Sequence, residues 1–160
     1  MESAIAAPPS DGAPLILLVE DNPDDVLLAK RAFKKAALSA TMEVVSDGDE
    51  AVGYLDAAAQ AGGGGQSAPP SLILLDLKLP KRPGLEVLRW IRANRHYDAT
   101  PVVVLTSSTE DEDIQKAYAL GANSYLQKPV AFNGLVQLLG VLGLYWLQNN
   151  LTASPGTAQR

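Results

Sequence analysis

The feature that most restricts the fold is a pair of unbroken apolar runs, LILLV at 15–19 and LILL at 72–75. A strand open to water on one face alternates apolar and polar residues, so continuous runs of this length read as strands covered on both faces. Residues 102–105 (VVVL) form a third such run, 124–126 a weaker fourth, and 42–45 a shorter and more polar fifth. Strands buried on both sides belong to a parallel sheet between helices.

The intervening stretches supply those helices. Asn22 ahead of Pro23 is a cap residue before a proline at the first helical position, followed by Val26, Leu27, Ala29 and Phe33. Asp47 opens a second helix running to about Gln60, and 84–95 is a third, with Leu85, Leu88 and Ile91 at helical spacing. Thr109 with Glu112 has the form of a capping box, and acids at 110–113 favour the positive end of a helix that stops at Gly121. A last helix is predicted over 131–147. Strand and helix alternate five times, which right-handed crossovers fold into a doubly wound α/β sheet.

At 160 residues the chain has the length of one such domain, with 1–14 read as a floppy leader, 15–147 as the domain and 148–160 as a tail. The leader carries no Lys or Arg and no apolar run long enough for a signal peptide, which predicts a cytoplasmic protein. A formal charge of −5 argues against a nucleic-acid partner, which would demand a basic stripe. With no cysteine, disulfides, thiolate metal sites and Cys nucleophiles are excluded. Gly62 to Gly65 match no phosphate-binding glycine pattern and read as a loop tolerant of insertion.

In a doubly wound sheet, chemistry belongs at the carboxyl ends of the strands. The first strand delivers Glu20 and Asp21 there, the third Asp76, the fourth Thr106, and the fifth is followed by Lys128 and Pro129. Any one acid after a strand is ordinarily a cap or a solvated turn; the convergence of five segments makes this a site. Three carboxylates at about 4 Å would repel by roughly 4 kcal/mol per pair at an effective dielectric near 20. Lys128 offsets one charge, and the remainder suits a hard divalent cation such as Mg²⁺. A cation, a lysine and a threonine hydroxyl around an aspartate suit a transferring phosphoryl group, with Asp76 as the nucleophile.

These residues resemble the bacterial response regulator receiver family. The match lies in VEDNPDD at 19–25, LLDLKLP at 74–80, LTSS at 105–108 and SYLQKP at 124–129, with 30 residues from Asp76 to Thr106 and 22 more to Lys128. The resemblance implies a flavodoxin-like receiver fold of five parallel strands, order 2-1-3-4-5, with five helices. It implies phosphorylation of Asp76 by a sensor histidine kinase, with Mg²⁺ on Asp21, Asp76 and the backbone carbonyl of Lys78, and Glu20 acting on it through water. Lys128 then pairs with the phosphoryl group, Thr106 and Tyr125 form a switch pair, Ser107 is small enough to leave access, and the Lys128–Pro129 bond is cis. Two departures stand out: Glu20 replaces the first of a commoner Asp pair, and Pro83 precedes Gly84 where Asp is usual. RAFKKA at 31–36, DIQKAY at 113–118, GANSYL at 121–126 and YWL at 145–147 are most similar to the stand-alone regulators that partner bacterial phytochromes.

Other roles are weaker. A flavodoxin-like FMN carrier needs a Gly, Ser and Thr rich loop after the first strand, where this chain has the phosphate-repelling EDNPDD. An aspartate-dependent phosphohydrolase needs a second Asp two residues after the nucleophile, where Lys78 stands. The chain is therefore expected to accept phosphate, assisting its own phosphotransfer and dephosphorylation, without being an enzyme on other substrates. Asp24 and Asp25 read as an ordinary helix start, and His96 as a surface residue. Trp90, Tyr145 and Trp146 read as packing and dimer anchors.

From Pro129 to Gln159 no side chain is charged, and apolar residues surround the last helix almost completely. That run is too short for a membrane span. It predicts a homodimer through the last helix, the fourth helix and the fifth strand; the expected output is protein contact, or none beyond a phosphate relay or sink.

Overall fold

The computed structural model describes residues 13–61, 69–151 and 153. The Gly62 to Gly65 loop and most of the leader and tail lie outside the described residues. The elements run β1 (Leu15–Val19), α1 (Pro23–Ala36), β2 (Thr41–Val45), α2 (Gly48–Gln60), β3 (Leu72–Leu75), α3 (Gly84–Ala93), β4 (Val102–Thr106), α4 (Asp111–Ala119), β5 (Ser124–Gln127) and α5 (Phe132–Leu142). All four strand pairings are parallel, in the order β2-β1-β3-β4-β5. The doubly wound sheet read from the sequence is the observed one.

Its two faces explain the unbroken apolar runs. Leu17, Val19, Ile73, Leu75, Val102 and Val104 point to one side and pack with α2, α3 and α4 residues such as Leu55, Leu88 and Ala117. Ile16, Leu18, Leu72, Leu74 and Val103 point to the other and pack with Ala29 and Ala32 of α1 and Leu139 and Leu142 of α5. Every residue of β1, β3 and β4 is buried.

The caps of α1 and α2 are as predicted. The Asn22 side chain accepts hydrogen bonds from the Asp24 and Asp25 N–H groups with Pro23 at the first helical position, and Asp47 accepts from the Glu50 N–H. The Thr109 capping box is not formed. Glu110 precedes α4, and the Ser108 hydroxyl donates to Asp113 Oδ2 at 2.6 Å. A hydroxyl one residue earlier thus meets the acids of the first turn. The third helix ends at Ala93, short of the predicted 95, because the Asn94 side chain accepts from the His96 N–H and starts a separate 3₁₀ turn at Arg95–Tyr97.

The last helix is α-helical only to Leu142 and continues as a widened π segment over Gly143–Asn149, closed by the Asn150 N–H donating to the Tyr145 carbonyl. Wider turns rotate the side chains that follow. Trp146 and Leu147 reach the α1/α5 core, whereas Leu144 and Tyr145 stay 52% and 54% exposed, as does Val141 of the preceding α turn at 62%.

Candidate functional site

Each strand end contributes one part of a single cluster. The Asp76 N–H donates to the Val19 carbonyl at 3.1 Å and the Glu20 N–H to the Val45 carbonyl at 3.0 Å, so the β ladders hold both acids beside each other. Thr106 ends β4, fully buried, and its carbonyl accepts from the Lys128 N–H at 2.8 Å. The backbone thereby fixes where the Lys128 side chain starts.

The side chains close on Asp76. Its Oδ1 accepts from the Thr106 hydroxyl at 2.8 Å and from the Lys78 N–H at 3.3 Å, and its Oδ2 lies 2.9 Å from Lys128 Nζ. Lys128 Nζ also lies 2.5 Å from Glu20 Oε1 and 3.0 Å from Asp25 Oδ2. The other Glu20 oxygen accepts from the Asn22 N–H at 3.0 Å. Asp76 and Glu20 are buried and Asp21 is exposed. Burial pushes the Glu20 carboxyl above its usual range, with the Lys128 contact pulling the other way. Burial likewise opposes the charge on Lys128, but its hydrogen bonds to Glu20, Asp76 and Asp25 outweigh that and hold the ammonium above its ordinary value.

The loop after β3 is gripped from two sides. The Gly84 N–H donates to the Leu77 carbonyl at 2.9 Å, and the Gly48 N–H to the Pro80 carbonyl at 3.3 Å. Neither position has room for a side chain: a Cβ on Gly84 would lie 2.3 Å from the Asp76 carbonyl oxygen, and one on Gly48 2.0 Å from that of Arg82. Lys78 therefore holds its backbone beside Asp76 while its side chain is exposed.

Of the residues singled out from the sequence, Glu20, Asp21, Asp76, Thr106 and Lys128 come together, and Lys78 joins through its backbone. Tyr125 stands off the cluster, half-buried, donating its hydroxyl to the Ser108 carbonyl at 3.0 Å. Ser107 is exposed at the edge of the site. His96 sits in the Arg95–Tyr97 turn away from it. The Lys128–Pro129 bond is trans, not cis as the resemblance implied; no described peptide bond is cis. Trans is the intrinsic preference of an X–Pro bond by about 0.5–1 kcal/mol, and the Lys128 ammonium reaches the cluster from it.

Sequence reasoning missed two members. Asp25 reads as a dipole-complementing acid at a helix start, yet it touches Lys128. The available signal was its place in the first turn of α1: helical side chains lean toward the N-terminus, here toward the strand ends. Ser108 joins the first turn of α4 to Tyr125, through its hydroxyl on Asp113 and its carbonyl on the Tyr125 hydroxyl.

Carboxylate oxygens of Glu20, Asp21 and Asp76 all lie within 4.8 Å of one another. An octahedral ion with oxygens at about 2.0–2.1 Å places them about 3 to 4 Å apart, so small side-chain rotations close this set. All donors are oxygen, and the Lys128 ammonium meets three carboxylates, Glu20, Asp25 and Asp76, with Asp21 beside two of them. The donor set fits a hard divalent cation.

The model of the response regulator receiver domain family matches residues 16–140. The chain belongs to that family. Among relatives of this receiver, FilR2 of Methanothrix harundinacea (strain 6Ac), a probable methanogenesis regulatory protein, is 44% identical over 144 residues, 90% of this chain and 89% of FilR2. Response regulator Rcp1 of Synechocystis sp. is 37% identical over 134 residues, 84% of this chain and 89% of Rcp1. The crystal structure of Rcp1 in its Mn²⁺-bound form matches with a TM-score of 0.74 at 34% identity, covering 88% of this receiver and 99% of that chain. Phosphorylated RcpA, a cyanobacterial phytochrome response regulator, matches with a TM-score of 0.79 at 36% identity, over 89% of this receiver and all of that chain.

Proposed function

We propose that this receiver is a stand-alone response regulator that takes a phosphoryl group on Asp76 from the histidine of a sensor kinase. A carboxylate oxygen of Asp76 forms the O–P bond as the N–P bond of the donor breaks, and the imidazole leaves with the electron pair and takes up a proton. The Thr106 hydroxyl, already on Asp76, turns to a phosphoryl oxygen, and the Lys128 ammonium neutralises another. Mg²⁺ would be held by Asp21, Asp76 and the carbonyl of Lys78, with Glu20 through water, and would supply the remaining positive charge. As the Thr106 hydroxyl moves, Tyr125 leaves Ser108 and turns inward, changing the face made by α4 and β5.

The unit is residues 15–147; likeness to RcpA supports a phytochrome-type kinase as the partner, and the pair is proposed to work in the cytoplasm. Among the described residues no helix is long and apolar enough to cross a membrane. The uncharged α5, with α4 and β5, forms a homodimer face. The observation that carries the reading is the sharing of one buried carboxylate, Asp76, between the Thr106 hydroxyl and the Lys128 ammonium beside two further acids. Incubation with acetyl phosphate and Mg²⁺ adds the mass of one phosphoryl group to the intact protein, and Asp76→Asn abolishes the gain. An unchanged wild-type mass, or a gain that survives the substitution, overturns the proposal.

A further inference from the structure

Lys128 has three carboxylate partners, and they are not equivalent. Glu20 and Asp76 are buried and belong to the acidic trio whose oxygens converge. Asp25 comes from the first turn of α1, its side chain is 40% exposed, and it is outside that trio. Its oxygen nevertheless lies 3.0 Å from Lys128 Nζ, against 2.9 Å for Asp76.

The difference matters once a divalent cation is bound. Glu20 and Asp76 would then share their negative charge with the cation, and the cation would repel the neighbouring ammonium. Space to retreat exists: a cavity of about 50 Å³ opens beside the ammonium, lined by Glu20, Asp25, Leu28, Lys128 and Pro129 among others. Asp25 is the partner that Lys128 keeps without competing for the cation. We infer that Asp25 is a positioning residue that holds the Lys128 ammonium over the Asp76 oxygen in the cation-loaded protein, ready for the phosphoryl group. The inference rests on the reading that Asp76 accepts that group.

Geometry adds a second consequence. Asp25 belongs to α1, and Lys128 lies between β5 and α5, so this ion pair ties the site to two neighbouring helices of one face. A phosphoryl group that draws the ammonium away loosens that tie.

Two measurements test the inference separately from the functional reading. First, the ¹⁵N-labelled wild-type protein in Mg²⁺ shows a slowly exchanging Lys128 ammonium resonance by NMR, assigned with Lys128→Gln; Asp25→Ala and Asp25→Asn lose it, while a chelator leaves it in place through Glu20 and Asp76. Persistence of the resonance in both variants in Mg²⁺, or its absence from the wild type, overturns the inference whether or not the protein takes up phosphate. Second, Asp25→Ala slows uptake from acetyl phosphate about tenfold, less than the loss of a donor that touches the reacting oxygens directly, and Asp25→Glu restores most of the rate. In a Lys128→Gln background, Asp25→Ala changes the rate by less than about twofold, as expected for residues acting through one contact. Uptake by Asp25→Ala at the wild-type rate, or an equal slowing in both backgrounds, overturns the inference. A wild type that takes up no phosphate sinks the functional reading and leaves the resonance to decide this one.

Discussion

Tyr97 shows how much one hydroxyl can contribute away from the site. Its ring is fully buried, and its hydroxyl donates to the Leu55 carbonyl at 2.5 Å, fastening the turn after α3 to α2. Burial, with smaller contributions from Tyr54 and Asp56, pushes the phenol up to about 12. The unfolded chain gives up this proton near pH 10, so between about pH 10 and 12 it binds fewer protons than the folded protein and stability falls as pH rises. The phenol accounts for a loss of about 3 kcal/mol by the top of that window. Tyr97→Phe should therefore cost about 1 kcal/mol at pH 8, where the hydrogen bond is intact, and gain on the wild type above pH 10. Urea unfolding of both proteins at pH 8, 10 and 11.5 checks this; two stability curves that stay parallel contradict it. Single residues were legible in the sequence where their position implied their direction. Glu20, Asp76, Thr106 and Lys128 could be placed because each stands at or just past a strand end. Asp25 and Ser108 could not, because their contacts depend on how a helix start is aimed and on which of two adjacent hydroxyls meets α4.

Between elements, the tightest fit near the site joins α2 to the loop after β3. Gly48 lies against Arg82, Lys81 Nζ is 3.6 Å from Asp47 Oδ2, and Arg82 Nε is 3.0 Å from Asp49 Oδ1. Lys81 itself is held at a φ of 69°, a left-handed conformation unusual for a residue with a Cβ. The exposed Arg82–Asp49 pair contributes at most about 1 kcal/mol, so Arg82→Ala should barely move the unfolding midpoint. Gly48→Ala is different: the added Cβ would come within 2.0 Å of a backbone oxygen, so α2 or the loop must shift. Overpacking of this kind costs about 1–3 kcal/mol. Because the same loop carries Lys78, Mg²⁺ affinity measured by calorimetry should weaken along with stability. A Gly48→Ala protein with wild-type midpoint and affinity would refute the idea that this contact sets the loop. The elements were readable from chemistry local to each one: β1, β3 and β4 from unbroken apolar runs, β2 and β5 from weaker ones, and the starts of α1 and α2 from Asn22 and Asp47. The widened end of α5 was not, because α and π turns share their apolar composition and differ only in which carbonyl each N–H finds.

For the whole molecule, the unresolved demand is cover for the outer face of α5. The doubly wound sheet was legible from the strand–helix alternation, its strand order only through the resemblance to receiver domains, and the sheet packs one side of α5 through Leu139 and Leu142. The opposite side keeps Val141, Leu144 and Tyr145 more than half exposed, and no charged side chain occurs from Phe132 to Asn149. Two-fold association sets a surface against its own copy, so a charged residue near the axis meets a like charge. A face without charges avoids that repulsion even in a chain of net charge −5. The proposed homodimer should accordingly be seen by analytical ultracentrifugation at micromolar concentration, and the paired substitution Val141→Glu with Tyr145→Glu should give a monomer. Both positions are exposed, so the folded protomer should keep its wild-type circular dichroism and lose no more than about 1 kcal/mol of intrinsic stability. A wild type that sediments as a monomer at 100-fold higher concentration than the variant needs for the measurement would leave this face to another partner. A dimer that survives both glutamates would move the interface to another surface, since burying two facing carboxylate pairs without partners costs more than an interface of this apolar area can offset.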